Sequence, residues 1–257
     1  RKLELQPLLD KLRARLACWK ARLLTLAGRL VLLNSVLTAF TTYWLSVQDM
    51  PAWVRRQIDK ARRAWLWRGQ EECHGGHCKV AWGRICRPKE LGGLGILDLV
   101  RFGQALRLRW LWLACTDTER AWQGLDLQFS FEERALFHAS TTMAIGDGRT
   151  ALFWEDRWLG GQSVNELAPM LLKCIPKQRQ KSRMVVEALA GNSWARDIHG
   201  LLGLPEIGQY LKLWHLVQHV ELSNEPDRLL WSWTASGVYT AQSCYWATFQ
   251  GATGCHS

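Results

Sequence analysis

No two aspartates are adjacent anywhere in this chain, and no glycine-rich loop ends in Lys-Ser or Lys-Thr. The absent loop excludes a P-loop cradle for nucleotide phosphates. A Gly-x-Ser-x-Gly elbow is missing as well, which removes the usual signature of a serine hydrolase. The glycines of "ELGGLGIL" lack the strand, spacing and helix entry of a dinucleotide fingerprint. There are eight cysteines, but no dense spacing pattern: they lie at 18, 73, 78, 86, 115, 174, 244 and 255. That scatter fits reduced intracellular thiols better than a disulfide scaffold. Internal repeats, low-complexity tracts and heptad arrays are lacking too. The charged opening "RKLELQ" offers no short apolar core with a cleavage site, so a signal peptide is not expected. The first residue is Arg rather than Met, as expected of a fragment or of a gene model missing its true start. The expected location is intracellular, nucleus or cytoplasm.

Tyrosine is scarce at 4 residues, whereas tryptophan reaches 16, so the aromatic content is carried by indoles. Positive charge is scarce in one half only. Residues 1–110 hold 21 Lys and Arg against 8 Asp and Glu, a net of +13, while residues 111–257 hold 12 against 15, a net of −3. A polyanion-binding footprint is therefore expected in the first half. At 257 residues, the chain can bury one large core or two modest ones.

Residues 8–24 place Leu9, Leu12, Leu16, Trp19 and Leu23 at steps of three and four, which predicts an amphipathic helix with Lys11, Arg13, Arg15, Lys20 and Arg22 on its other faces. Residues 30–47 carry no formal charge over 18 positions, close to the ~20 a membrane span needs. Their Asn, Ser and Thr content favours a buried core helix over a membrane helix. After Asp49 and Pro51, Val54, Ile58, Ala61 and Trp65 run down one helical face until Gly69, with Arg55, Arg56, Lys60, Arg62 and Arg63 outside. Glycines and Pro88 make 70–97 an irregular insert. Asp98 is the expected cap of a helix burying Leu99, Phe102, Leu106, Trp110 and Leu113, with Arg101, Arg107 and Arg109 away from or beside that stripe. Further helices are expected at 131–143, near 183–190 and near 208–219.

Two motifs could carry chemistry. In "IGDGRTALFWEDRW" the Asp-Gly pair between apolar residues signals a hairpin over 144–155. The competing reading is a hydrolytic metal site using Asp147, Glu155 and Asp156, which would need carboxylates from elsewhere. In "CHGGHC", Cys73, His74, His77 and Cys78 supply zinc-type atoms, but four ligands within six residues are hard to arrange tetrahedrally, so a polar loop is favoured. The basic helices are the more credible site, because cations interleaved with Trp can supply phosphate contacts and stacking surfaces together.

Six blocks occur in one order: "WKARLLTLAGRLVLLNSVLTAFTTYWL", "MPAWVRRQIDKARRAWLWRG", "KVAWGRICRPKELGGLGILDL", "ALRLRWLW", "IGDGRTALFWEDRW" and "DRLLWSWTASGVYTAQSCYWATFQG". In that order they resemble the region downstream of the polymerase core in plant LINE-type, non-LTR retrotransposon reverse transcriptases. The resemblance covers almost the whole chain and implies an RNA-directed DNA polymerase as parent. It implies thumb-like basic helices over 1–68, a connector over 69–160 and, over 161–257, a helical segment leading into the truncated start of a zinc-binding reverse-transcriptase segment. The family's paired catalytic aspartates lie upstream of such a region and have no match here, and its Cys/His knuckle would lie beyond Ser257. The chain departs from the family at "VRFGQALRLRW", where Gly103 is expected to weaken its helix by roughly 1 kcal/mol relative to Ala.

These readings give a mainly α protein with small β elements, a basic helical N-terminal part and a hairpin-containing C-terminal part. It is expected to hold no catalytic residues, cofactor or metal of its own and not to enter a membrane. Arg13, Arg15, Lys20, Arg22, Arg55, Arg56, Arg62 and Arg63 are the expected contacts to phosphates of RNA or an RNA/DNA duplex. A further expected partner is the upstream polymerase core of the same polyprotein. The alternative is a helical relic, non-functional or protein-interacting, with no nucleic-acid role.

Overall fold

The structure is a computed structural model that describes residues 2–18, 23–70, 78–117 and 127–250. The fold is mainly α with small β elements, as expected from the sequence. The helices are α1 (Lys2–Cys18), α2 (Leu26–Leu32), a π-helical turn (Leu33–Leu37) that runs into α3 (Thr38–Val47), α4 (Ala52–Arg68), α5 (Trp82–Ile85), α6 (Leu99–Thr116) and α7 (Phe131–Ser140). Strand β1 (Thr141–Ala144) follows, then α8 (Val164–Leu167), α9 (Pro169–Leu172), α10 (Lys177–Gln180), α11 (Val185–Leu189), a 3-10 segment (Ala190–Asp197), α12 (Leu204–Val217), β2 (Arg228–Trp231) and α13 (Ala241–Gln250). Two compact units result, one of 1–133 with 241–257 and the other of 134–240. They divide the chain at other places than the three segments read from the sequence.

In the first unit α4 packs on α1 and α2, while α6 packs on both α3 and α13. Val54, Ile58, Ala61 and Trp65 of α4 are buried, the face their spacing predicts, and the helix stops at Gly69. Leu5, Leu8, Leu9 and Leu12 of α1 join that core. The helix begins and ends earlier than its apolar spacing suggested: Leu23 lies beyond it and is exposed, and Trp19 lies outside the described residues. The apolar stretch 26–47 is helical and, by length and composition alone, long enough to cross a membrane. It is not the buried core helix expected, because Val31, Tyr43 and Val47 are exposed while Leu33, Thr38, Thr41 and Leu45 face the core.

Asp98 caps α6 as expected, its carboxylate accepting the N–H groups of Val100 and Arg101. The predicted stripe of α6 is met in part, with Leu99 buried and Phe102 and Leu106 packed against the core, but the buried side is wider than that stripe. Leu99, Gly103, Ala105, Arg107, Leu108 and Trp112 are buried, because two helices cover α6 rather than one. Gly103 sits where α3 comes closest: an added Cβ would stand 3.2 Å from Leu45 Cδ2 and 3.3 Å from Arg107 Nη1. The expected gain of about 1 kcal/mol from Gly103→Ala should therefore be cancelled by crowding, leaving stability within about 0.5 kcal/mol of the parent. A urea-unfolding midpoint shifted by the full propensity gain would contradict this packing.

The second unit has a core of aromatic side chains. Phe153, Trp154 and Trp194 are fully buried. Phe153 meets Trp154 edge-on at 4.7 Å and stacks on Trp194 at 5.9 Å, and Tyr210 and Trp214 of α12 extend the cluster. Such offset and edge-on pairs are the favourable aromatic geometries.

The hairpin expected over 144–155 does not form. Strand β1 pairs antiparallel with β2, matching Thr141 to Trp231 and Ala144 to Arg228. Residues 146–150 instead bend around a distant carboxylate. Asp227 Oδ1 accepts the N–H groups of Gly146 at 2.8 Å and Gly148 at 2.9 Å, and Oδ2 those of Thr150 at 2.9 Å and Ala151 at 3.1 Å. Gly146 is required there, since a Cβ would come within 1.9 Å of the Glu225 carbonyl oxygen.

Candidate nucleic-acid interface

The carboxylates of the Asp-Gly motif are spent on local structure. Asp147 accepts the N–H of Arg149, closing its own turn, and Asp156 accepts the N–H of Leu152 at 2.7 Å. Burial pushes the Asp156 carboxyl up, only partly opposed by that N–H. Partial burial would raise Asp227 as well, but the four backbone donors outweigh it and hold its carboxyl below the usual range. These groups therefore form an ordered loop. Among the described residues no group of three or more His, Cys, Asp or Glu is placed to hold a metal ion. Cys73, His74 and His77 lie outside the described residues, and Cys78 is exposed.

The basic helices divide into cations that serve the fold and cations that face solvent. Arg62 was expected to touch phosphate, and that expectation is corrected: its side chain is 1% exposed. Its guanidinium donates to Asp59 at 2.9 Å and to the Leu97 carbonyl at 2.8 Å, tying α4 to the segment before α6. Burial pushes the Asp59 carboxyl up, against the lowering effect of Arg62. Arg55 donates to Asp49 at 2.9 Å and to the Met50 carbonyl at 2.7 Å, so it closes the start of α4. Arg63 is half-buried, its guanidinium 5.7 Å from the centre of the Trp82 ring.

Arg13, Arg56 and Lys60 are exposed. Arg13 reaches from α1 to Gln57 Oε1 of α4 at 3.4 Å, which places it beside the exposed strip of α4. Arg56 and Lys60 lie one turn apart on α4, on either side of Gln57 in sequence. Arg56 makes no hydrogen bond or ion pair among the described residues. The structure thus gathers Arg13 and Arg56 of the expected set on one face and adds Lys60. Arg15 lies on α1, and Lys20 and Arg22 lie outside the described residues. The tryptophans of α4 do not present stacking faces: Trp65 is buried, and Trp53 and Trp67 pack against the core.

Two functional-looking arrangements escaped the sequence reading. Arg107 is not beside the buried stripe but inside it, 5% exposed, with Nε donating to Glu133 Oε1 at 2.7 Å. Nothing local in the sequence pairs residues 26 apart. The second was legible as "HLVQH": His215 and His219, one helical turn apart, bring their rings within 5.4 Å at the end of α12, with the Gln218 amide beside both. Two nitrogens fall short of the three protein ligands that catalytic zinc uses.

The chain is 27% identical over 186 residues to an Arabidopsis thaliana protein named "Putative ribonuclease H protein". The match covers 62% of this chain and 30% of that protein, so the chain corresponds to less than a third of its relative's length. No family model matches the chain, and no solved structure matches it. Similarity to part of a plant protein bearing a ribonuclease H name is what the comparisons establish.

Proposed function

We propose that this chain is a piece of a plant non-LTR retrotransposon reverse transcriptase that grips RNA or an RNA/DNA duplex without catalysing a step itself. The observation that carries the reading is the exposed basic face of α1 and α4, with Arg13, Arg56 and Lys60 outside a core that absorbs the neighbouring tryptophans. The ordered sequence blocks support the retroelement assignment, and the similarity to a plant ribonuclease H protein agrees with it. The chemistry would belong to the upstream polymerase core of the same polyprotein, and this chain would hold template and primer by their phosphates, in an intracellular setting and away from membranes.

Phosphate contacts release counterions, so binding should weaken linearly in log affinity against log salt, with a slope near −0.9 for each duplex phosphate neutralised. The full chain carrying Arg13→Gln and Arg56→Gln should lose about 2 from that slope. Arg149→Gln removes an exposed arginine of the other unit and should leave the slope unchanged. Equal slopes for the parent and the double variant would refute the assignment.

A further inference from the structure

The second unit holds 11 Lys and Arg against 10 Asp and Glu, and five of those cations, Lys173, Lys177, Arg179, Lys181 and Arg183, fall within residues 167–186, which contain no Asp or Glu. Lys173, Lys177, Arg179 and Lys181 are exposed. Beside α10 this segment borders a cavity of about 360 Å³ lined by Pro176, Gln178, Arg179, Ser182 and His199. The lining offers a guanidinium, an amide and an imidazole as donors, while the Ser182 hydroxyl donates to the Gln178 carbonyl at 2.8 Å, with no carboxylate and only one apolar residue. That donor set suits a tetrahedral anion held by a planar fork and neutral donors.

The walls are fixed from behind. Gln180 Nε2 donates to the carbonyls of Leu172 at 3.0 Å and Ile175 at 2.8 Å, holding the chain into α10 in place. Arg183 donates to Asp197 through Nε at 2.8 Å, and a second bond joins Nη2 to the other carboxylate oxygen. Asp197 is 3% exposed and also accepts Trp154 Nε1 at 3.3 Å, so this ion pair connects the cavity wall to the aromatic core. His199, two residues beyond Asp197, is tied through its N–H to the Cys174 carbonyl at 2.9 Å. Arg183 is consumed in holding the wall, and Asp197 already has a cation, which leaves Arg179 as the exposed cation of the cavity.

We propose that this cavity is a second phosphate-binding site, taking a backbone phosphate of single-stranded nucleic acid, with Lys177 and Lys181 engaging neighbouring phosphates. A continuous basic run on both sides of the cavity favours a polymer of phosphates over a lone ion. The site deepens the nucleic-acid reading but rests on residues of the other unit, so the two can fail separately.

The test uses the full chain and a short labelled single-stranded RNA, titrated over a range of salt concentrations. Three proteins are compared with the parent: Arg179→Gln with His199→Gln, Lys177→Gln with Lys181→Gln, and Arg13→Gln with Arg56→Gln. All six side chains are exposed, and near-ultraviolet circular dichroism of the tryptophan core reports whether each protein is folded. The first two should each bind about five- to tenfold more weakly at low salt, the cavity variant losing about 0.7 from the salt slope and the lysine variant about 1.4, since single strands give about −0.7 per phosphate. If both bind as the parent does while Arg13→Gln with Arg56→Gln weakens, the cavity proposal is overturned and the helical face stands. Should only the first two variants weaken, the cavity stands and the helical face falls. No binding by the parent at low salt overturns both. Anionic vesicles form a separate arm: capture of the chain by vesicles, lost in the Arg179 variant, without RNA binding would replace nucleic acid by a lipid phosphate and overturn the proposal.

Discussion

Replacing Asp227 by Ala should cost the 134–240 unit about 3 kcal/mol, because four backbone N–H groups lose a charged acceptor at once. Each charge-assisted bond would count for ~1.5 kcal/mol or more alone, but the loop can turn some of its donors to water, so the sum is not additive. Asp227→Asn should cost about 2 kcal/mol, since the amide keeps one acceptor oxygen and replaces the other with a donor. Urea unfolding followed by the fluorescence of the buried tryptophans reads both values. A loss under 1 kcal/mol for the alanine variant would show that the loop is held by something else.

The same carboxylate predicts a pH dependence. Its folded pKa lies below its unfolded value, so its stabilisation is fully present above the ordinary Asp range near 3.8 and is lost as pH falls through the folded pKa. Asp197 acts in the same direction: burial would raise it, but Arg183, Trp154 Nε1 and the charge of Arg179 outweigh that and hold it below the usual range. Asp156 works oppositely, since its raised pKa favours the folded state as it takes up a proton. Acid should therefore destabilise this unit at and below the ordinary Asp range, and Asp227→Asn should flatten that loss without abolishing it.

The second large effect lies in the other unit. Glu133 and Arg107 are 2% and 6% exposed at their side chains. Glu133 also accepts the N–H of Ser130 at 2.9 Å, while Ser130 Oγ accepts the N–H of Glu133, a reciprocal box that begins α7. Arg107→Ala strands the Glu133 carboxylate out of water and should cost about 3–5 kcal/mol, while Glu133→Ala should cost somewhat less, since Arg107 keeps Asp49 at 3.7 Å and the Gln48 carbonyl at 3.4 Å. Changing both to leucine should cost less than either single change, because no charge is then left unpaired. A double variant less stable than both singles would contradict a desolvated pair.

The contrast between α4 and α6 shows how much was legible. The core face of α4, its start after Pro51 and its stop at Gly69 all follow from spacing and terminal residues, which are local quantities. Periodicity sorts by residue type, so it puts Arg62 on the outside of α4 and Arg107 away from or beside the stripe of α6, and a guanidinium with a partner inside the fold breaks that rule without leaving a sequence trace. Asp227 is the clearest case of non-local information: the Asp-Gly turn looked like a hairpin until a carboxylate some 80 positions away organised it. Of the candidate interface, the sequence supplied the charge and the helices, but only packing could separate Arg13 and Arg56 from Arg55 and Arg62.

Photocrosslinking tests the central claim most directly. The full chain is crosslinked at low salt to an RNA/DNA duplex carrying a photoreactive base, then digested and mapped. Adducts on the peptides containing Arg13 and Arg56, suppressed by added salt, are the predicted result. Adducts that bypass both α1 and α4, or none at low salt, would contradict the account.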